Sequence, residues 1–179
     1  HRSEEFGKIL QNVRRRLSWL TGCDGETVIL TSSGTGGMEA AVSSLFAPGD
    51  EVVVVQGGKF GERFVQLANH YHLKTKIVSV EWGRAAAVEV VMKHVTPSTK
   101  GILIQSDETS TGVHHPVKEI GKALASRNDI LLVVDAITAL GIRDVDMARD
   151  RIDVAIGASQ KGLMSPPGLA TVSLGSRAL

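Results

Sequence analysis

The chain has 179 residues, 20 Lys+Arg against 19 Asp+Glu, a net charge of +1, and 42% hydrophobic and 22% charged residues, an ordinary composition for a folded domain. One sizeable core is the expectation at this length, and near-neutral charge gives no net drive toward nucleic acid or an anionic membrane surface. The lone Cys23 excludes an internal disulfide framework and a thiolate metal cluster, and points to a reducing, cytoplasmic setting.

The elements follow in chain order. Phe6, Leu10, Val13, Leu17 and Leu20 recur at helical spacing, predicting an amphipathic first helix that Gly22 can end. TVILT is a short β-branched strand, followed by the loop SSGTGG and a helix carrying Met38, Ala41, Val42 and Leu45. EVVVV is apolar on both faces, as a covered parallel strand requires. A helix with Phe60, Phe64, Leu67, Ala68 and Tyr71 leads to the strand KTKIVSV, and Ala85 to His94 reads as a helix before GILIQ. The loop SDETSTGVHHP, a helix with Val117, Ile120 and Leu124, and the strand DILLVVD come next. RIDVAIG and LATVSL are the last strands, separated by ASQKGLMSPPG.

This alternation predicts one α/β domain, residues 1–179, with a mostly parallel sheet of about seven strands and helices on both faces. The longest apolar stretch, ILLVVDAITALGI, contains Asp135 and Gly141 and does not read as a bilayer span. The opening His-Arg-Ser and the end at GSRAL suggest part of a longer protein.

Ligands of open parallel sheets bind beyond the carboxyl ends of the strands, and three features of the sequence fall there. Ser33, Gly34 and Thr35 stand where a strand feeds a helix, so free N–H groups and the helix dipole favour an anion such as phosphate. The same residues would also serve as an ordinary helix cap. No GK[ST] follows, and the third glycine of a dinucleotide fingerprint is Glu39, so neither a Walker loop nor a dinucleotide site fits. Asp135 ends a buried strand, where a carboxylate needs a partner, either a nearby arginine or a ligand's protonated ring nitrogen. Lys161 lies in a glycine- and proline-fixed loop after another strand; exposed it is solvated charge, but partly desolvated it can form a Schiff base. An anion cradle, a strand-tip carboxylate and a loop lysine are together what pyridoxal phosphate needs.

At these motifs the sequence resembles the class V aminotransferases of the fold-type-I pyridoxal-phosphate enzymes, above all the alanine–glyoxylate and serine–glyoxylate (serine–pyruvate) group. SSGTGGMEAA resembles the family's phosphate loop, and GGKFGER the segment whose aromatic, here Phe60, stacks on the cofactor ring. DETSTGVHHP resembles the segment in which Thr109 contacts the cofactor. VVDAITALG resembles the strand whose Asp135 binds the pyridine nitrogen, with Ile137 packed against the opposite ring face. GASQKGLMSPPG resembles the Schiff-base loop, with Lys161 as the covalent residue and Gln160 as a further contact.

The resemblance implies a cytoplasmic homodimer with a shared active site, moving an amino group from alanine or serine to glyoxylate or pyruvate. It also implies that this is the cofactor-binding large domain, without the family's N-terminal arm and C-terminal small domain. Lyases, desulfurases and non-catalytic cofactor-binding homologues share the constellation. His70 and His72, two apart on a predicted helix, do not make a metal pair; His114-His115-Pro116 reads as a loop end, and no metal is expected.

Overall fold

The computed structural model describes residues 2–179. Helix α1 (Glu4–Thr21) starts where Ser3 Oγ accepts from the Phe6 N–H, and ends at Gly22 in the left-handed region, φ +62°. Then come β1 (Glu26–Thr31), α2 (Gly34–Leu45), β2 (Glu51–Gln56), α3 (Lys59–His70), β3 (Lys74–Ser79), α4 (Val88–His94) and β4 (Thr99–Gln105). A small hairpin, β5 (Asp107–Glu108) with β6 (Val113–His114), precedes α5 (Val117–Ala123) and β7 (Leu131–Asp135). The chain continues through α6 (Met147–Asp150), β8 (Val154–Ala158) and β9 (Leu169–Leu174).

All the strands read from the sequence lie in one seven-stranded sheet, ordered β1-β9-β8-β7-β4-β2-β3. From β3 to β8 the neighbours are parallel, whereas β9 runs antiparallel to both β8 and β1. A parallel return needs a long crossover, usually helical; residues 159–168 between β8 and β9 hold only turns, so β9 folds straight back.

The central strands are apolar on both faces because both faces are covered. On one side α2 and α3 pack Met38, Val42 and Phe64 against Val54, Leu103 and Val133. On the other, α4, α5 and α6 pack Val91, Ile120, Leu124 and Met147 against Val53, Ile104 and Val134. Burying each such side chain contributes roughly 1.5–3 kcal/mol. The connections change face between α3 and α4, and the strand order turns back between β2 and β4. This is the point where an open α/β sheet forms a crevice at its carboxyl edge.

Four local expectations are corrected. The helix expected from Ala85 begins only at Val88, because the Ala86 N–H donates to His115 Nδ1 at 3.1 Å. His115 does close its loop just before α5, but it is fully buried rather than an exposed loop residue, and burial pushes its imidazole below the usual histidine range. His72 lies beyond the end of α3 at φ +59° rather than on the helix. The loop SDETSTGVHHP contains the hairpin β5–β6. On α1, Leu17 is buried but Phe6 and Val13 each remain 41% exposed, so most of the apolar stripe is left uncovered by the described residues. No helix among the described residues is long and apolar enough to cross a membrane.

Candidate active site

The first of the sequence-predicted features is the loop between β1 and α2. Ser33 caps the helix, its Oγ accepting from the Gly36 N–H at 3.4 Å and its carbonyl from the Gly37 N–H at 3.1 Å. The Gly34 and Thr35 N–H groups ahead of these meet no acceptor among the described residues. They stand at the positive end of the helix dipole, where an anion is favoured. Gly34 has no room for a side chain: a Cβ there would lie 2.5 Å from Ile137 Cδ1. Its absence lets the start of α2 press onto the end of β7.

Asp135 closes β7 and is 5% exposed. Its Oδ1 accepts from the Ile137 N–H at 3.0 Å, and no cation pairs with it among the described residues. Burial pushes its carboxyl up to about 7, against the pull of the Ile137 N–H; Glu108 adds to the rise and Arg63 opposes it. The arginine partner that would make Asp135 a structural ion pair is not there. A buried carboxyl of this kind stays neutral by binding a proton or is paired with a cation, so a cationic ligand suits it.

Phe60 sits in the first turn of α3, after the neighbouring strand β2. The Arg63 guanidinium lies over its ring, Cζ 5.3 Å from the centroid, and Nη1 donates to Thr35 Oγ1 at 2.7 Å. The aromatic segment is thus tied to the anion cradle. Thr109 is exposed beyond β4; its Oγ1 donates to Thr138 Oγ1 at 3.3 Å, which donates to the Asp107 carbonyl at 3.0 Å. That chain fixes the Thr109 segment to the turn after Asp135. Ile137 in that turn is 9% exposed and touches the space above Gly34.

The lysine loop is built on the same turn. Ser159 Oγ donates to the Pro166 carbonyl at 2.6 Å, and the Ser165 N–H to the Ser159 carbonyl at 2.9 Å, closing residues 159–168 on themselves. A Cβ on Gly162 would lie 2.3 Å from the Leu140 carbonyl oxygen, so the loop rests directly on the segment that follows Asp135. Lys161 and Gln160 themselves are exposed. The described residues do not supply the partial burial expected for the lysine amine; the loop leaves Lys161 open to solvent.

The structure therefore brings Ser33, Gly34, Thr35, Phe60, Thr109, Asp135, Ile137, Gln160 and Lys161 to the carboxyl edge of β1, β2, β4, β7 and β8. Two residues there escaped the sequence reading. Arg63 is three residues beyond Phe60 and so on its helix face, a signal the spacing does carry. Glu108 is one residue before Thr109, and nothing in a loop glutamate marks it as buried.

The description of the aminotransferase class-V family matches residues 1–179. The chain belongs to the class-V aminotransferase family. An uncharacterized aminotransferase of Helicobacter pylori is 39% identical over 182 residues, covering 100% of this chain and 48% of that protein. The serine–glyoxylate aminotransferase of Hyphomicrobium methylovorum is 34% identical over 87% of this chain and 40% of its own length. An aspartate aminotransferase of subgroup IV from Thermus thermophilus superposes with a TM-score of 0.94 at 36% identity, over 99% of this chain and 51% of that one. The class-V chain described here spans about half the length of the curated relatives it matches.

Class-V membership implies pyridoxal phosphate as cofactor, and the residues present fit it. The free N–H groups of Gly34 and Thr35 suit its phosphate, and the unpaired, buried Asp135 suits a protonated ring nitrogen. Phe60 and Ile137 offer apolar surfaces for the ring, and Lys161 is an amine free of ion pairs among the described residues.

Proposed function

We propose that the chain is the cofactor-binding large domain of a pyridoxal-phosphate aminotransferase moving the amino group of alanine or serine to glyoxylate or pyruvate. The observation that carries this reading is Asp135, a buried strand-tip carboxylate that forms no ion pair among the described residues. When bound, the cofactor supplies an electron sink for the substrate and a carrier for the amino group.

Each residue then has a task. Ser33, Gly34 and Thr35 hold the phosphate at the start of α2. Phe60 and Ile137 clamp the two faces of the ring, while Thr109 and Gln160 add polar contacts at its rim. Asp135 keeps the ring nitrogen protonated, using the charge that burial otherwise disfavours. Lys161 would hold the cofactor through its amine, and that amine, when free, would take the proton from the substrate Cα as general base and deliver it to the cofactor as general acid. The solvent exposure of Lys161 in this chain agrees with a site whose remaining walls come from elsewhere.

Two further parts of the reading concern setting. The apolar stripe of α1, with Phe6, Leu10 and Val13 left exposed among the described residues, supports a homodimer, whose subunits we take to share the active site. A single free cysteine supports a cytoplasmic protein.

The test is an assay of the full-length protein with alanine or serine as donor and glyoxylate or pyruvate as acceptor. Amino transfer, with the keto acid formed from the donor, supports the reading. Turnover of serine or cysteine without any keto-acid acceptor overturns it in favour of a lyase or desulfurase. Cofactor bound with no turnover of any amino acid overturns it in favour of a binding homologue.

A further inference from the structure

The first turn of α3 is held by a carboxylate from another part of the chain. Glu108, in the hairpin β5–β6, is fully buried. Its Oε2 accepts from the Phe60 N–H at 3.1 Å and from the Gly61 N–H at 3.0 Å. Its Oε1 accepts from the Ser110 N–H at 3.1 Å and the Ser110 hydroxyl at 2.6 Å. That hydroxyl in turn accepts from the Lys59 N–H at 2.9 Å. Lys59, Phe60 and Gly61 open the helix, and an α-helix leaves such N–H groups without internal partners. All three converge on Glu108 and Ser110.

A local cap would steady α3 equally well, yet Gly58 at the cap position offers no side chain. It has no space for one, since a Cβ there would lie 2.5 Å from both Glu108 Cγ and Cδ. The cap comes instead from 48 residues along the chain, and from the residue next to Thr109. A distant cap does what a local one cannot: it fixes Phe60 relative to Thr109. We infer that Glu108 is a positioning residue, holding the Phe60 ring and the Thr109 hydroxyl in register across the cofactor site without touching the cofactor. The inference rests on the function proposed above.

The experiment uses the full-length protein with Lys161→Ala, so that pyridoxal phosphate binding is non-covalent and its Kd is read by fluorescence. Glu108→Gln, which keeps the shape but not the full set of acceptors, is measured with Phe60 present and with Phe60→Leu. The expectation is a weakening of about tenfold with Phe60 present and less than about twofold with Phe60→Leu, the non-additivity of residues acting through one another. Equal weakening in both backgrounds overturns the inference and leaves Glu108 a plain helix cap; so does no weakening at all. If Glu108→Gln does not fold, Ser110→Ala, which removes the hydroxyl bridging Glu108 and the Lys59 N–H, takes its place in the same cycle with the same criterion. A parent protein that binds no pyridoxal phosphate overturns the proposed function itself, and this inference with it.

Discussion

Asp135→Asn removes one charge with almost no change of volume, and so isolates what burying that carboxylate costs. Its carboxyl stands at about 7 against an ordinary 3.8, a gap of about 3 units or about 4 kcal/mol at full titration. The folded value is the higher one. The favourable contribution of the protonated form is therefore complete below the unfolded value and is lost as pH rises through about 7. Between about pH 5.5 and about pH 8.5 the loss amounts to about 2 kcal/mol. Asparagine keeps the acceptor for the Ile137 N–H but buries an amide without a protein partner, which costs about 1–3 kcal/mol at every pH. That changes the level of stability and not its slope.

The assay is denaturant unfolding of the cofactor-stripped protein at both pH values, parent beside variant. The parent should lose about 2 kcal/mol more than Asp135→Asn across that interval. Added cofactor should stabilise the parent more than the variant, because only the parent offers its ring nitrogen a charge. Amino transfer by Asp135→Asn should fall strongly even where its stability at high pH is the greater, as expected of a group kept for function at a cost in stability. Equal pH slopes for parent and variant would refute the argument that Asp135 is buried without a cation.

The remaining predictions concern the loops around it. Lys161 is exposed and makes no ion pair among the described residues, so Lys161→Ala should change unfolding stability by less than about 0.5 kcal/mol. The same variant should abolish the borohydride-fixed cofactor adduct located by mass spectrometry. Gly58→Ala places a Cβ against Glu108; a destabilisation of about 1–3 kcal/mol is expected from overpacking, read as a lower urea midpoint. Arg63→Met keeps the stem but loses the hydrogen bond to Thr35 and the charge over Phe60. It should weaken cofactor binding by about 1–2 kcal/mol in equilibrium titration.

What the sequence makes legible follows the range of the forces involved. Val52–Val55 and Leu132–Val134 read as covered strands because burial on both faces leaves an unbroken apolar run. Asp135 is conspicuous because it ends such a run. The antiparallel return of β9 leaves no mark in composition, since LATVSL would look the same in either direction. Four-residue α6 is too short for periodicity to register, although Asp146, whose Oδ1 accepts from the Arg149 N–H at 2.9 Å, is the kind of cap that announces a helix. Glu108 shows the limit most clearly. A carboxylate beside Ser110 and Thr109 in a loop reads as solvated charge, and its burial depends on N–H groups supplied by Phe60 and Gly61. Such a role exists only once β2 and β4 lie side by side, so it belongs to the tertiary structure, as does the solvent exposure of Lys161. The motifs name the groups proposed to meet a ligand; Glu108, proposed to hold two of them in place, shows its role only in the folded chain.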